Sequence, residues 1–440
     1  SMKLIVQGAP VHTSRDPMEC AACSKAINAA LKYVIEIPKP GEKGCMSYQI
    51  SRLCDPFFAG WAYIASGRHI KQLEWCVKKL SDPKFYKKGG GNGNWYPAMA
   101  AMFLSEIYKR YPTEKTKNVL IDIIEYASQM QEPTGGWNHR KGFVYPVAGG
   151  GKDISIITSI IYGAMLNMKY CGIPVPEDTF KAAGNNLIKI TDGAGLSYGT
   201  GNSVGDRTMG RACWMYLALH SMRNIRFKYA RSIPQGVNAR YKNTDGGHAY
   251  PPLHYASVAM TMHLLGPRMY NKFASYWINR MIPLQKANGS VLLPNKENMG
   301  TMEANQYVSS TAVFALILLL QKPGALERDI YVKKKVRSIG SKPASKPSWL
   351  GVRVKDDVLG VKVTEVLKDS PASAAGVKAG DYLLEINGIR PGELKTFRKT
   401  TAALTPGTKT DGILLCPKEK KSIQITPSEL PNRPLAANEL

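Results

Sequence analysis

Long apolar runs are missing from this sequence. A membrane-spanning helix needs about 20 consecutive apolar residues, and the longest uncharged apolar stretch, at 311–320, is much shorter. Residues 1–7 also lack the basic segment, long apolar segment and cleavage site of an export signal. We therefore expect no membrane span in this chain.

Acidic residues are scarce relative to basic ones. The chain has 33 Asp and Glu against 59 Lys and Arg, a formal net charge of +26, which attracts anionic glycans, acidic proteins, lipid headgroups and nucleic acids alike. The basic residues are dispersed, with short clusters only at 87–88, 333–335 and 418–421, and no nucleic-acid-binding motif accompanies them. We expect an anionic glycan as a candidate ligand and no specific binding of nucleic acid.

Cysteine is also sparse, since 8 residues in 440 are too few for a disulfide scaffold. Four of them nevertheless lie in the first 54 residues, at Cys20, Cys23, Cys45 and Cys54. One or two disulfides, a redox pair at the start of a helix, a zinc site and free core thiols all fit this cluster. Cys45 and Cys54 are too far apart to complete a zinc knuckle, so we favour disulfides and an oxidising compartment, with no bound metal.

Residues 20–321 predict a helical domain built from repeats, because apolar stretches recur there without a series of alternating strands. Six such stretches begin near Asp55, Trp95, Asp153, Asp206, Pro252 and Asn305. Each mixes small and large apolar residues and has few charges, which predicts helices that are buried on every side. The charged, amphipathic stretches between them predict an outer layer, at 69–80, 114–129, 178–190 and 268–285.

Inner helices that alternate with outer ones predict a mainly α protein with a double-layered (α/α)6 barrel. Glycine-containing loops precede the inner helices, at 135–137, 192–198, 245–250 and 288–291. Together with the helix starts at 153–155 and 206–208, these loops make the domain resemble the α/α toroids of the terpenoid cyclases, including the squalene cyclases, and the protein prenyltransferases. The resemblance implies a central cavity that is surrounded by these loops and by the first turns of the inner helices.

Polar and aromatic side chains occupy the positions that the resemblance places around this cavity. The candidate ligand residues are Asn94, Trp95, Tyr96, Trp137, His139, Ser155, Asn305 and Tyr307, and the candidate catalytic residues are Asp153, Asp206, Arg207, His248, Tyr250 and His254. Asp153 and Asp206 equally suit helix N-termini, where a carboxylate caps free N–H groups. Because a lone histidine is more often structural than catalytic, the sequence leaves open whether this domain is an enzyme.

No complete catalytic motif accompanies these residues. A cationic terpene cyclase needs an Asp-x-Asp-Asp motif, which is missing, and the adjacent pair Asp356 and Asp357 lies outside the helical domain. A prenyltransferase-like zinc site is not assembled, because Cys213 falls on the buried part of its helix. We therefore favour a non-catalytic binding protein without a cofactor. A polysaccharide-active hydrolase or lyase is the alternative, and an isoprenoid cyclase or transferase is a weaker one.

Residues 322–345 are rich in Lys, Pro and Ser and predict an exposed basic linker. The β-prone runs beyond it, with two helix-prone segments among them, predict a small α+β domain over residues 346–428. An N-terminal arm (1–19) and a C-terminal tail (429–440) complete the predicted organisation.

The stretch 369–388 resembles the PDZ domains of bacterial envelope proteases of the HtrA type. The resemblance implies that a glycine-containing turn binds the terminal carboxylate of a peptide, which adds as a strand. The matching positions are Leu350, Gly351 and Val352 in the turn, with Leu394, Phe397 and Arg398 on the opposite wall. We thus predict a periplasmic or secreted bacterial protein that captures a peptide or protein C-terminus. A groove that serves internal docking is the alternative.

Overall fold

A computed structural model describes residues 16–35, 49–143, 152–190, 209–220, 232–246, 250–295, 307–322, 325–326, 348–417 and 420–429. The chain forms two compact units. Unit 1 comprises Ser1–Ser66, Lys79–Ser105 and Leu120–Glu327, and unit 2 comprises Gly67–Lys78, Glu106–Val119 and Arg328–Leu440. Most of the predicted linker, N-terminal arm and C-terminal tail lies outside the described residues.

The described residues before position 320 are largely helical. The helices are α1 (Ala21–Ile35), α2 (Gln49–Ser66), α3 (Ile70–Leu80), α4 (Pro83–Tyr86), α5 (Trp95–Arg110), α6 (Glu114–Gln129), α7 (Ser155–Tyr170), α8 (Glu177–Lys189), α9 (Met209–Leu219), α10 (Ser232–Arg240), α11 (Pro251–Leu264), α12 (Pro267–Met281) and α13 (Tyr307–Leu319). None of these described helices has both the length and the apolar character that a bilayer crossing requires.

All six predicted inner helices are confirmed, as α2, α5, α7, α9, α11 and α13. Their burial agrees with the prediction: every residue of α7 from Ser155 to Met168 is buried, as is every residue of α13 from Ser309 to Leu319. The predicted outer stretches are α3, α6, α8 and α12. Helices α1 and α10 complete the outer layer and were not among the predicted outer stretches.

The inner helices close into a ring. Helix α13 packs against both α11 and α2, and α9 packs against both α7 and α11. Phe57 of α2 meets Phe103 of α5, with ring centroids 6.4 Å apart. The Asn167 side chain of α7 donates a hydrogen bond to Ser105 of α5 at 3.1 Å. Since the first inner helix contacts the last, unit 1 is an α/α toroid, as predicted.

The centre of the ring is filled with aromatic side chains at one level. Phe57 and Trp61 of α2, Phe103 of α5 and Trp214 of α9 are all at most 2% exposed. The ring centroid of Phe57 lies 5.3 Å from that of Trp214, although α2 and α9 are not neighbours in the ring. A cavity in unit 1 must therefore lie above or below this cluster.

Residues 348–429 form the folded C-terminal part of unit 2. Its elements are β1 (Ser348–Trp349), β2 (Val352–Asp357), β3 (Gly360–Val366), α14 (Pro371–Ala374), β4 (Tyr382–Ile386), α15 (Leu394–Ala402), β5 (Thr410–Leu415), β6 (Lys420–Ile425) and β7 (Ser428–Glu429). Strands β2 to β6 form an antiparallel sheet in sequence order, and β1 pairs with β7. The small α+β domain is therefore confirmed, with β2 at one edge of its sheet.

Unit 2 also contains helical segments that precede this domain in the chain. The Lys362 ammonium of β3 donates a hydrogen bond to Glu74 of α3 at 2.7 Å, and Lys78 of α3 also contacts Glu74. Lys362 and Lys78 each lie 3.7 Å from Asp357 at the end of β2. The compact unit is thus larger than the predicted domain of 346–428, whose boundaries stay a prediction.

Candidate functional site

The turn between β1 and β2 depends on one glycine. Gly351 has a φ of +77°, which L side chains rarely adopt. A Cβ atom at this position would overlap the side chain of Ser370. Glycine therefore lets the backbone pack closely against the start of α14, and it fixes the turn that leads into β2.

This turn aims two adjacent N–H groups in a common direction. The Leu350 carbonyl accepts a hydrogen bond from the Ala372 N–H at 2.9 Å, and the Gly351 carbonyl accepts one from the Leu367 N–H at 2.9 Å. In a planar trans peptide the N–H lies opposite the preceding carbonyl, so the N–H groups of Gly351 and Val352 face away from the segment 367–372. Successive N–H groups of this kind form an anion-binding concavity.

Strand β2 continues this pattern along its open edge. Val352 lies opposite Val366, and the neighbouring hydrogen bond runs from Leu367 to Gly351. In an antiparallel ladder, such a bond places Val352 and Val366 in a non-hydrogen-bonded pair. The N–H and carbonyl of Val352 therefore face the open edge rather than β3.

Val354 repeats this orientation. It lies opposite Val363, whose N–H and carbonyl both bond to residues 380–381 at 2.8 Å on the other side of β3. Val363 has no backbone group left for β2, so the N–H and carbonyl of Val354 also point to the open edge. A peptide strand can add there with regular hydrogen bonds.

Helix α15 forms the second wall of this groove. The Ser348 hydroxyl donates a hydrogen bond to the Thr401 carbonyl near the helix C-terminus. The Leu394 N–H at the helix N-terminus donates to the Asp356 carboxylate near the end of β2. Helix α15 therefore runs antiparallel to β2 and is attached at both ends, which leaves the groove between them.

The predicted peptide-binding residues divide into core and surface. Leu350, Val352 and Phe397 are at most 1% exposed and belong to the apolar core of the domain. Leu394 is half-buried and Arg398 is exposed, one helical turn apart on α15. The structure thus brings the turn and the helix together, with Leu394 and Arg398 left accessible to a ligand.

Several predicted residues of the toroid cannot be placed. Asp206, Arg207, His248 and Asn305 lie outside the described residues, as does Cys45. Tyr307, at the start of α13, is half-buried, and its hydroxyl accepts a hydrogen bond from the Lys286 ammonium at 2.6 Å.

Trp95 and His139, two of the predicted cavity residues, lie in contact with each other. The Trp95 indole N–H donates to Nδ1 of His139 at 2.9 Å, and the Asn94 N–H donates to the His139 carbonyl at 2.9 Å. Burial lowers the pKa of His139 to about 4, so this imidazole is neutral at pH 7. A neutral His139 that accepts from Trp95 is suited to hydrogen bonding and cannot act as a cation.

Two other predicted cavity residues pack inside the protein. Trp137 is fully buried, and its indole N–H donates to the Ala127 carbonyl of α6 at 2.7 Å. Tyr96 is 3% exposed and packs edge-on against Phe85 with ring centroids 5.3 Å apart. Trp137 thus joins its loop to the outer layer rather than lining a cavity.

Asp153 is not the N-cap residue that its sequence position suggested. Helix α7 begins at Ser155 with Ile154 as its N-cap. The buried Asp153 carboxylate instead accepts a hydrogen bond from the Asn186 side chain of α8 at 2.8 Å. Asp153 therefore connects an inner helix start to an outer helix.

A polar cluster that sequence reasoning missed surrounds Tyr250. The Ser309 hydroxyl of α13 donates to the Asp55 carboxylate of α2 at 2.6 Å. Tyr250 precedes α11, and burial, then the neighbouring Cys54 and Asp55, raise the pKa of its hydroxyl well above the ordinary value. His254 lies one turn further along α11 and is 4% exposed. The sequence signal that could have indicated this cluster is the carboxylate of Asp55 within the apolar stretch 53–58.

The predicted disulfides are not formed among the residues that the structure describes. Cys20, Cys23 and Cys54 all carry free thiols. Cys54 is fully buried within α2, and Cys20 and Cys23 share a hydrogen bond at the start of α1. Over the described ranges, no three His, Cys, Asp or Glu residues converge as metal ligands.

Comparison with known proteins identifies the C-terminal part of the chain. A model of the PDZ domain family matches residues 348–411. The probable periplasmic serine endoprotease DegP-like of Bartonella henselae is 32% identical over 101 residues, which are 20% of each chain. The chain therefore carries a PDZ domain of the HtrA type, and it spans only a fifth of that relative's length.

Two enzymes of different activities show a distant likeness to most of this chain. A glycosidase solved with glucose has 11% identity and a TM-score of 0.47, and covers 70% of this chain and 100% of its own. The type II terpene cyclase MstE from Scytonema has 12% identity and a TM-score of 0.43, and covers 69% of this chain and 98% of its own. These distant likenesses carry no argument about substrate or mechanism.

Proposed function

We propose that this chain is a bacterial cell-envelope or secreted binding protein that captures the C-terminus of a peptide or protein in its PDZ groove. The observation that carries this proposal is the open edge of β2. There Val352 and Val354 direct their backbone groups away from β3, directly beyond the turn at Gly351. A terminal carboxylate would bind the N–H groups of the turn while the peptide pairs with the strand.

The apolar surroundings of the turn favour an apolar last residue. Leu350, Val352 and Phe397 form the core beneath the groove, and Leu394 packs against that core from α15. We therefore expect peptides that end in Val, Leu or Phe to bind with micromolar affinity, about 8 kcal/mol of binding free energy.

Isothermal titration calorimetry with the full chain tests this proposal. A peptide that ends in a free carboxylate should bind, and its C-terminally amidated form should lose most of the affinity. Leu394→Ala should weaken binding about tenfold, since it removes about 1 to 2 kcal/mol of apolar contact. Lys395→Ala is the matched control, because Lys395 is exposed on the next position of α15, and its affinity should match the wild type.

Two results would contradict the proposal. Equal binding of the free and amidated peptides would mean that the turn does not bind a carboxylate. If no peptide binds at all, the groove serves internal docking instead.

The toroid is proposed as a second ligand site, at the end of the ring marked by Asp55, Tyr250 and Ser309. These residues come from α2, the loop before α11, and α13, and Tyr250 and Ser309 are buried. The attraction for an anionic glycan comes from the net charge of +26 of the whole chain rather than from this acidic cluster. Sulfated or uronic-acid glycans should bind the wild type, and Asp55→Asn should change their affinity, because it removes a charge at this end of the ring. An unchanged affinity would place the glycan elsewhere. Release of new reducing or unsaturated sugar ends would instead establish the polysaccharide-active alternative.

A further inference from the structure

The two cysteines at the start of α1 occupy unequal positions. Cys20 directly precedes the helix, and its carbonyl accepts the first helical hydrogen bond, from the Ser24 N–H at 2.8 Å. Cys20 is therefore the N-cap residue, and it is partly exposed. Cys23 is the third residue of the helix and is 5% exposed.

The environment of Cys20 stabilises a thiolate. The sulfur accepts hydrogen bonds from the Cys23 N–H, the Cys23 thiol and the Ala22 N–H, and these lower its pKa against the opposing effect of burial. These N–H groups are the ones that a capping oxygen usually satisfies, and the positive end of the helix dipole lies beside them. The arrangement is that of a reactive cysteine.

Cys23 has the opposite character. Burial, followed by the hydrogen bond and charge of Cys20, raises its pKa to about 11. The buried Gln321 side chain beyond α13 donates a weak hydrogen bond to the Cys23 sulfur at 3.9 Å. Cys23 is therefore held against Cys20 as a protonated thiol that solvent barely reaches.

The N-terminal turn is fixed in position around this pair. Asp16 accepts a hydrogen bond from the Met18 N–H at 3.0 Å and forms an ion pair with Lys322 at 2.8 Å. The short turn Pro17–Glu19 leads from Asp16 directly to Cys20. Contacts at both sides of the pair, from Lys322 and Gln321, thus attach it to the end of α13.

We propose that Cys20 and Cys23 form a redox-active dithiol, with Cys20 as the attacking cysteine and Cys23 as the resolving cysteine, that exchanges with disulfide substrates. An accessible thiol that contacts a buried one across a single helical turn is the geometry that exchange requires.

The exchange takes place in two steps. The Cys20 thiolate attacks one sulfur of a disulfide, the substrate S–S bond breaks, and one substrate thiolate leaves and takes up a proton. The Cys23 thiol then loses its proton to solvent and attacks the Cys20 sulfur, so that the second substrate thiolate leaves and is protonated. Two electrons and two protons thus pass from the cysteine pair to the disulfide, which becomes two thiols.

Equilibration of the full chain with mixtures of reduced and oxidised glutathione tests the proposal. After acid quenching and alkylation, mass spectrometry should show a Cys20–Cys23 disulfide that forms and disappears reversibly with the glutathione ratio. Cys23→Ser should accumulate glutathione on Cys20, because the resolving thiol is gone. Cys20→Ser should take up no glutathione on Cys23, because that thiol is buried. Cys76→Ser is the matched control, since Cys76 is also fully buried, and it should behave as the wild type.

Three outcomes would overturn the proposal. The first is that the disulfide forms at no glutathione ratio. The second is that it forms but resists reduction by glutathione, as structural disulfides do. The third is that Cys23 in Cys20→Ser reacts as readily as Cys20 in Cys23→Ser, which would show that the two thiols are equivalent.

Discussion

Two separate effects require a glycine at position 351, and the cost of each in stability can be measured separately. Its positive φ disfavours any side chain, and its close approach to Ser370 leaves no room for one. Gly388 has nearly the same φ, +75°, but no atom within 4 Å of the position of a Cβ. The two glycines of one domain therefore separate the cost of conformation from the cost of overlap.

We predict that Gly388→Ala lowers the free energy of unfolding by about 1 kcal/mol, the usual cost of a left-handed conformation. Gly351→Ala should cost distinctly more, because the α14 segment at Ser370 must also shift. Denaturant unfolding of the chain, followed by the hydrogen exchange of the strands β2 to β6, measures both. Equal losses would show that residue 351 has room for a methyl group. Larger substitutions at 351 would test the fold rather than peptide binding.

At the scale of elements, the N-terminus of helix α15 is capped by a residue of strand β2. Glu393, its own N-cap residue, makes no side-chain cap, whereas Asp356 of β2 accepts the Leu394 N–H. The far end of the peptide groove is therefore closed by a hydrogen bond between its two walls.

We predict that Asp356→Ala loosens the first turn of α15 by about 1 kcal/mol, the typical value of a lost cap. Hydrogen exchange of residues 394–397 should accelerate accordingly. Asp356→Asn keeps an acceptor and should show a smaller effect. Asp411→Ala is a control on β5, where the carboxylate accepts an exposed hydrogen bond from Gln424 at 3.2 Å. Unchanged exchange in Asp356→Ala would mean that the cap does not hold the helix.

The elements that could be predicted are those whose signal is local. The apolar stretches of α7 and α13 indicate burial on every side, and the turn at Gly351 lies within a short motif. Helix α10 could not be predicted, because Pro234 and Gly236 disfavour a helix at this point of the sequence. Its packing against α9 and α11 stabilises the helix instead.

The polar cluster of the toroid is a different case. Ser309 and Asp55 are 254 positions apart in the chain, and no sequence pattern pairs them. Trp137 had the right position for a cavity residue, but the Ala127 carbonyl offered its indole a partner inside the protein. Which loop residues turn inward depends on such partners, so the fold was more predictable than its site.

At the scale of the whole molecule, the PDZ domain belongs to a unit built from separate chain segments. The Glu74 carboxylate of α3 accepts hydrogen bonds from Lys362 and Lys78. Burial alone would raise the pKa of Glu74, but the hydrogen bonds from Lys362, Lys78 and Tyr382 outweigh it and lower the pKa from 4.5 to about 2. The carboxylate therefore contributes stability that is fully present above pH 4.5 and is lost as the pH falls towards 2, at most about 3 kcal/mol.

We predict that trypsin cuts the basic segment 322–348 but that the C-terminal fragment stays with the rest of the chain at neutral pH, because contacts to α3 remain after cleavage. Gel filtration of the cleaved protein measures this. Acidification from pH 4.5 towards 2 should release the fragment. Glu74→Gln should release the fragment more readily at neutral pH. Glu114→Gln should not, because the ion pair of Glu114 with Lys117 is exposed. A fragment that separates at neutral pH in the wild type would show that the predicted domain of 346–428 is independent.

The contact between α2 and α13 also determines when the protein can finish folding. During synthesis, the apolar faces of α2 and α5 leave the ribosome early, but their ring stays open until the last inner helix, ending at Leu319, has emerged. Residue pairs such as Gln285 with Ala26 and Gln321 with Cys23 join the two ends of the domain across 259 and 298 positions. Loop closure over such distances is slow, so the nascent toroid has a long exposure to aggregation and to chaperones. The start of α1 reaches its final surroundings only after almost the whole toroid has been made.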